Sequence, residues 1–302
     1  MLNGLFKKLF VIMATASSSV WAQVTVPIVW PYNPGSTQAN YVRAIIEDAN
    51  SQQQKYRFVF DHKPGAGTAI AMNHVANSQG PALVSNTATF FIRPGFSPNE
   101  SHNIDNFEPL VTQMVGQPIA ILSKKYSSLA ELKKQTKLTV GTIPGSFNDL
   151  VTREFVKHAL PGVDVVFVPF PGTPEIVVNI LGGHLDAGPE FLAQAKGFVE
   201  EKKISVIGIT GEQSYPNFPT FSSQGVRGLD KHTNYWQIYA SKNMPESVKK
   251  ELTDILTQAN KNPKVVALYK SDFGIPVDYT VSQTKEYHSN SKSFWQGVLK
   301  NK

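Results

Sequence analysis

Residues 163–186 read VDVVFVPFPGTPEIVVNILGGHLD and contain one complete strand–loop–helix unit. Val163 to Val168 is rich in β-branched residues, which favour an extended strand. Pro169-Phe-Pro-Gly172-Thr173 breaks that run. Pro174 suits the first helical position, where its missing N–H costs nothing, and Ile176, Val177, Ile180 and Leu181 follow at helical spacing. Gly182-Gly183 is a stop signal. Outward from this unit the alternation repeats. Val24–Trp30, Arg57–Asp61, Ala82–Ser85, Pro118–Leu122, Leu138–Gly141 and Ile204–Ile209 read as strands, and Tyr41, Val42, Ile45 and Ile46 mark one side of an early helix. Strands alternating with helices predict an α/β protein whose lobes carry mostly parallel sheets. No internal repeat or low-complexity segment interrupts the pattern.

Ligands of such sheets collect where strands end and helices begin. Four of these junctions are built from small residues: Pro34-Gly35-Ser36-Thr37, Pro64-Gly65-Ala66-Gly67-Thr68, Gly141-Thr-Ile-Pro-Gly145-Ser146 and Pro169-Phe-Pro-Gly172-Thr173-Pro174. Glycine lets backbone N–H groups come close to a ligand, and a helix N-terminus adds roughly half a positive charge with unpaired donors. The same residues also cap helices, and Ser146 followed by Asp149 fits a capping box. Both readings apply to any one loop alone; four in one chain favour anion binding.

The chain has 302 residues, 41% of them hydrophobic, and no Cys. Length suggests about two domains. The absence of Cys excludes disulfides, thiolate catalysis and Cys-based metal sites. The N-terminal MLNGLFKKLFVIMATASSSVWAQ carries Lys7 and Lys8, a short apolar run and small residues Val20 and Ala22. That is the anatomy of a secretory signal peptide over residues 1–22, cut after Ala22 and directing export to the periplasm. The apolar run is shorter than the ~20 residues a membrane span needs. Formal net charge is +6, and without Lys7 and Lys8 it is +4. A modest, dispersed positive charge helps gather anions. It lacks the concentrated basic face of a nucleic-acid protein, and no nucleic-acid partner is expected.

Several motifs resemble the substrate-binding receptors of tripartite tricarboxylate transporters. They are Pro64-Gly65-Ala66-Gly67 after a strand, Gly145-Ser146 opening a helix, and Val168-Pro-Phe-Pro-Gly172 running to Leu181-Gly-Gly-His-Leu-Asp186, in that order. Phe218-Pro-Thr220, Gly225 and Tyr235-Trp236 continue the match, which spans nearly all of the chain after residue 22. The resemblance implies an α/β, two-lobed periplasmic binding protein (a Venus-flytrap, type II-like) with two crossover segments. One lobe would comprise residues 23–118 plus 237–302, the other 119–236. It implies a small carboxylate ligand, either a di- or tricarboxylate or an aromatic carboxylate, delivered to a two-component membrane permease by a monomer without cofactor or metal. First-lobe contacts carried over from the family are Tyr32, Ser36, Thr37, Ala66, Gly67 and Thr68, with Asn86, Thr87 and Thr89 from a third loop. Second-lobe contacts are Ser146, Phe147, Asn148, Pro171, Gly172 and Thr173.

The chain departs from the family in its first loop. Ser36-Thr-Gln-Ala39 stands where a Gly-Gly-X-X-Asp pattern is common, Thr68 and Ile143 replace glycines, and Arg93 replaces a neutral residue. An enzyme is the rival class, but HExxH, G-x-S-x-G and P-loop lysine patterns are all missing from the sequence. A periplasmic receptor for a neutral or cationic solute is the nearer alternative, because fold does not fix ligand.

Overall fold

Val24–Trp30 forms β1, as its β-branched pattern predicts, and leads through a loop into α1 (Ala39–Gln52) and β2 (Tyr56–His62). A computed structural model describes residues 23–32 and 36–300. The expected leader and the Pro34-Gly35 half of the first loop lie outside the described residues. The chain continues through α2 (Ala69–Ala76), β3 (Leu83–Asn86), α3 (Thr89–Phe96) and β4 (Phe107–Gln117). Next come β5 (Ile119–Ser123), α4 (Leu129–Leu132), β6 (Lys137–Thr142), α5 (Phe147–Ala159), β7 (Asp164–Pro169) and α6 (Thr173–Leu181). Then follow β8 (Gly188–Phe191), α7 (Leu192–Glu200), β9 (Ser205–Ile209) and β10 (Asn234–Ser241). The last elements are α8 (Glu246–Asn260), α9 (Pro263–Ser271), β11 (Ile275–Pro276) and α10 (Val281–Lys300). Among the described residues no helix is long and apolar enough to cross a membrane.

The first lobe is a six-stranded sheet in the order β11-β4-β10-β3-β1-β2. Alternating side chains feed two cores. Ile28, Trp30, Trp236 and Ile238 pack against α1, α8 and α9, while Val29, Val84, Tyr235 and Tyr239 meet α2, α3 and α10 on the other face. The second lobe has β8-β5-β9, with the parallel pair β6-β7 joined to it through a Val140–Ala187 bridge.

The expectation of mostly parallel sheets needs correction. β1–β2, β1–β3 and β6–β7 are parallel, but β10 runs antiparallel to both β3 and β4, β11 to β4, and β5 to both β8 and β9. The cause is the route of the chain. It leaves one sheet along β4, enters the other at β5, and returns along β10 in the opposite sense beside β4. The two passages are tied together: Thr210 N–H donates to Ile119 O at 2.9 Å and the Thr210 hydroxyl accepts from Ile119 N–H at 3.0 Å. Gln117 Oε1 accepts from Trp236 Nε1 at 3.2 Å just beyond.

Candidate functional site

On the first lobe, the glycine loop after β2 is wound left-handed. Gly65, Ala66, Gly67 and Thr68 have φ of 122°, 47°, 57° and 80°. Two of these are non-glycine residues, for which left-handed backbone costs roughly 1–2 kcal/mol each. Strain of this kind concentrates at functional loops. A Cβ at Gly67 would lie 2.7 Å from Arg93 Cδ, so the position also needs the missing side chain. The turn opens into α2, whose N-cap Thr68 supplies no side-chain cap. Asn86 sits behind this wall, accepting from the Tyr32 hydroxyl at 2.6 Å and from Thr87 N–H at 2.8 Å, and donating to Thr68 Oγ1 at 3.3 Å. Burial pushes the Tyr32 phenol up to about 12, so it stays neutral.

The two second-lobe helix ends resolve the capping question differently. Ser146 caps α5, its Oγ accepting from Asp149 N–H at 3.2 Å. Asp149 does not complete the reciprocal box; it accepts instead from Gly145 N–H at 2.9 Å and from the Thr142 hydroxyl at 2.6 Å, which pins the loop. Phe147 N–H is taken by Thr89 Oγ1 of the first lobe at 3.2 Å. At α6 the N-cap is Gly172, with no side-chain cap, followed by Pro174 without an N–H. That end is left open for an anion.

Thr173, the first residue of α6, rests on Glu190, a carboxyl that is 2% exposed. The Glu190 carboxylate accepts from Thr173 and, at 2.7 Å, from Phe191 N–H. Burial raises its pKa from 4.5 to about 7, against the smaller opposing pull of those two bonds. The folded protein therefore binds a proton more tightly than the unfolded chain. Stability from this group is full below about pH 4.5 and is lost as pH climbs to about 7. Buried His102, His232 and His288, each pushed down to about 4 mainly by burial, act in the opposite direction as pH falls below their ordinary 6.5. Glu190→Gln is expected to isolate the carboxyl. Glu190 offsets part of the His loss at pH 5, so in the variant the urea midpoint at about pH 5 should fall further below the one at about pH 8 than in the wild type, by an equivalent of up to about 3 kcal/mol. An unchanged difference would mean that Glu190 does not titrate in this window.

The loops converge on a cavity of about 440 Å³ between the lobes. From the first lobe Tyr32, Ser36, Ala66, Gly67, Thr68, Thr87 and Thr89 line it; from the second, Ser146, Phe147, Asn148, Pro171, Gly172 and Thr173. Two expected contacts fall outside. Thr37 turns to the Asp272 carboxyl, which also takes the Tyr41 hydroxyl, and Asn86 lies behind Tyr32 and Thr87 as described. Sequence reading missed Gln38 and Gln194, whose side chains meet across the cleft, Gln194 Nε2 donating to Gln38 Oε1 at 2.9 Å. It also missed Phe191, which lines the cavity, and Glu190 beneath. A helical-period pattern around Gln194 carries no sign that one polar residue faces a partner 156 positions away.

Among the described residues no Lys, Arg, His, Asp or Glu lines the cavity. Arg93 packs instead beside Gly67 and Gly145, where a Cβ would meet its Nη1 at 2.6 Å. Asp186 is structural, accepting from Thr139 N–H and Oγ1 at 2.7 Å each and from Lys125 at 2.8 Å. No three His, Asp or Glu among the described residues come together as a metal site requires.

Residues 42–300 match the model of the tripartite tricarboxylate transporter family receptor. The chain belongs to that family. Three solved structures are similar to this receptor. The periplasmic binding protein BugD is 19% identical, with a TM-score of 0.81, over 93% of this chain and 98% of its own. MatC from Rhodopseudomonas palustris, described with bound malate, is 19% identical with a TM-score of 0.77, over 92% and 98% of the two chains. An R. palustris protein, Rpa4515, described with adipate, is 19% identical with a TM-score of 0.78, over 92% and 96%. At these identities the likeness shows the two-lobed α/β fold of periplasmic binding proteins.

Proposed function

We propose that this receptor captures a small carboxylate in the cleft between its lobes, in the periplasm, and delivers it to a two-component membrane permease without catalysing a reaction. The observation that carries the reading is one cavity walled by glycine loops of both lobes, with the uncapped α6 end facing it and, among the described residues, no charged side chain in the lining. Backbone amides at a helix N-terminus can hold a carboxylate without a formal cation. Malate and adipate in the two R. palustris relatives support the ligand class. The Lys7-Lys8 leader supports export. The division into residues 23–118 plus 237–302 and residues 119–236, whose second crossing falls within β10, and the monomeric state belong to the same proposal. Closure would be a hinge motion at the two tied passages near Ile119 and Thr210.

A thermal-shift screen of the chain from Gln23 against mono-, di- and tricarboxylates, sugars and amines tests it. A carboxylate at a hundredfold excess over its Kd should add about 2.7 kcal/mol of stability. Stabilisation by sugars or amines and by no carboxylate would overturn the ligand class. Turnover of a bound carboxylate would overturn the receptor reading.

A further inference from the structure

Resting on that reading, we infer that Gln38 is a ligand-contacting residue, its side-chain amide nitrogen donating to an oxygen of the carboxylate held in the cleft. Gln38 is 1% exposed and lines the cavity. Its Oε1 accepts from the Ser36 hydroxyl and, at 2.9 Å, from Gln194 Nε2 of the other lobe. Its Nε2 is buried and has no hydrogen-bond partner. Among the described residues, no other side chain that lines the cavity carries such an atom. A primary amide has two N–H donors, and burying them unpaired is costly unless something in the cavity takes them.

A local role does not account for this side chain. Gln38 is the N-cap residue of α1, yet its side chain makes no cap bond, and its backbone carbonyl already accepts from Tyr41 N–H at 3.1 Å. The amide is also fixed in orientation, since turning it over would set Nε2 against the donating Gln194 Nε2. Ser36 and Gln194 hold the oxygen end from both lobes, so closure sets the donor in place. With no Lys, Arg or His in the lining among the described residues, a neutral amide holds a carboxylate oxygen through a charge-assisted bond that needs no counter-ion. The first loop is where Ser36-Thr-Gln-Ala39 departs from the family pattern, so this donor is not one carried over from relatives.

Calorimetric titration with malate, adipate, citrate and benzoate, alongside ligand-free thermal melts, tests the inference. Gln38→Met keeps the length of the side chain and removes the amide. It should weaken the tightest-binding carboxylate of the four about tenfold, the worth of one hydrogen bond to a charged group. The ligand-free melting temperature should stay within about 3 °C, because Ser36 and Gln194 are only half-buried and can turn to water. Gln38→Glu puts an acceptor where the donor stood and should cost at least thirtyfold at pH 8. Gln194→Met removes the bond between lobes and spares the donor, so it should cost less than Gln38→Met. Wild-type affinity in Gln38→Met, or a Gln38→Glu loss no greater than that of Gln38→Met, would show that no ligand oxygen faces Nε2. An equal loss in Gln194→Met would assign Gln38 to lobe closure alone. If the wild type binds sugars or amines and none of the four carboxylates, the underlying ligand class falls, and this inference with it.

Discussion

Gly67→Val is expected to lower carboxylate affinity at least a hundredfold in a protein that still folds. Gly67 sits at φ 57°, where a β-branched residue is a steric outlier. Its new Cβ would lie 2.7 Å from Arg93 Cδ and 2.8 Å from Arg93 Nε. Arg93 cannot simply give way, because its other end already lies against Gly145 on the opposite lobe. Either the left-handed turn reshapes and withdraws its amides from the cavity, or Arg93 is driven toward the loop that Asp149 holds. Both outcomes disturb a ligand-facing wall, whereas the α2 core beneath (Ala71, Met72, Val75) is untouched. Gly80→Val serves as the control, since a Cβ there meets nothing within 4 Å. It should leave stability within about 0.5 kcal/mol and binding unchanged. Calorimetric titration alongside thermal melts measures both. Wild-type affinity in Gly67→Val would return the turn to a purely helix-capping role.

Trp236→Ala is expected to cost about 3–5 kcal/mol of stability, the range for truncating a buried large aromatic. The indole is 2% exposed and stacks on Trp30 with centroids 4.9 Å apart and planes 9° from parallel. Tyr32 and Tyr41 meet it edge-on at 5.6 and 6.0 Å. Its N–H bond to Gln117 also fixes β10 to the passage between lobes. Truncation leaves a void beside β1, a Gln117 Oε1 that keeps only the 3.4 Å bond from Asn234, and a cavity missing part of its wall. Urea unfolding should show a lower midpoint at unchanged slope, the signature of lost stability without a change of mechanism. Trp236→Phe keeps a ring and should cost less, about 1 kcal/mol for the lost hydrogen bond, since Asn234 still donates to Gln117 Oε1. A variant Trp236→Ala as stable as the wild type within about 1 kcal/mol would refute this account of the core.

Much of the fold was legible locally. β1 spans the residues its β-branched pattern marks, and Ile176, Val177 and Ile180 are buried on α6 as their spacing predicts, with Gly182 at the end. β4 was not legible, although it is the longest strand among the described residues. Phe107–Gln117 contains Glu108, Pro109, Thr112, Gln113 and Gln117, polar or strand-breaking residues that interrupt any strand pattern. Their polarity is matched only in the folded state. Gln237 donates to Thr112 Oγ1 at 2.9 Å, Ser85 donates to Gln113 Oε1 at 2.8 Å, and Asn260 reaches the carbonyls of both Thr112 and Gln113. A strand buried on two faces by distant partners has no alternation to display.

The candidate site divides along the same line. Small residues at strand-to-helix junctions, an N-terminal stretch with paired lysines and a short apolar run, the lack of Cys and the family motifs all belong to contiguous stretches and are read from sequence alone. Helix periodicity is set within a few residues, so it survives being read without a structure. Sheet direction, the open end of α6 against the capped end of α5, the Gln38–Gln194 contact and the Glu190 carboxyl under Thr173 depend on groups brought together from far along the chain. Only the tertiary structure decided those, because burial and hydrogen-bond partnership are properties of the packed neighbourhood and not of the residue type.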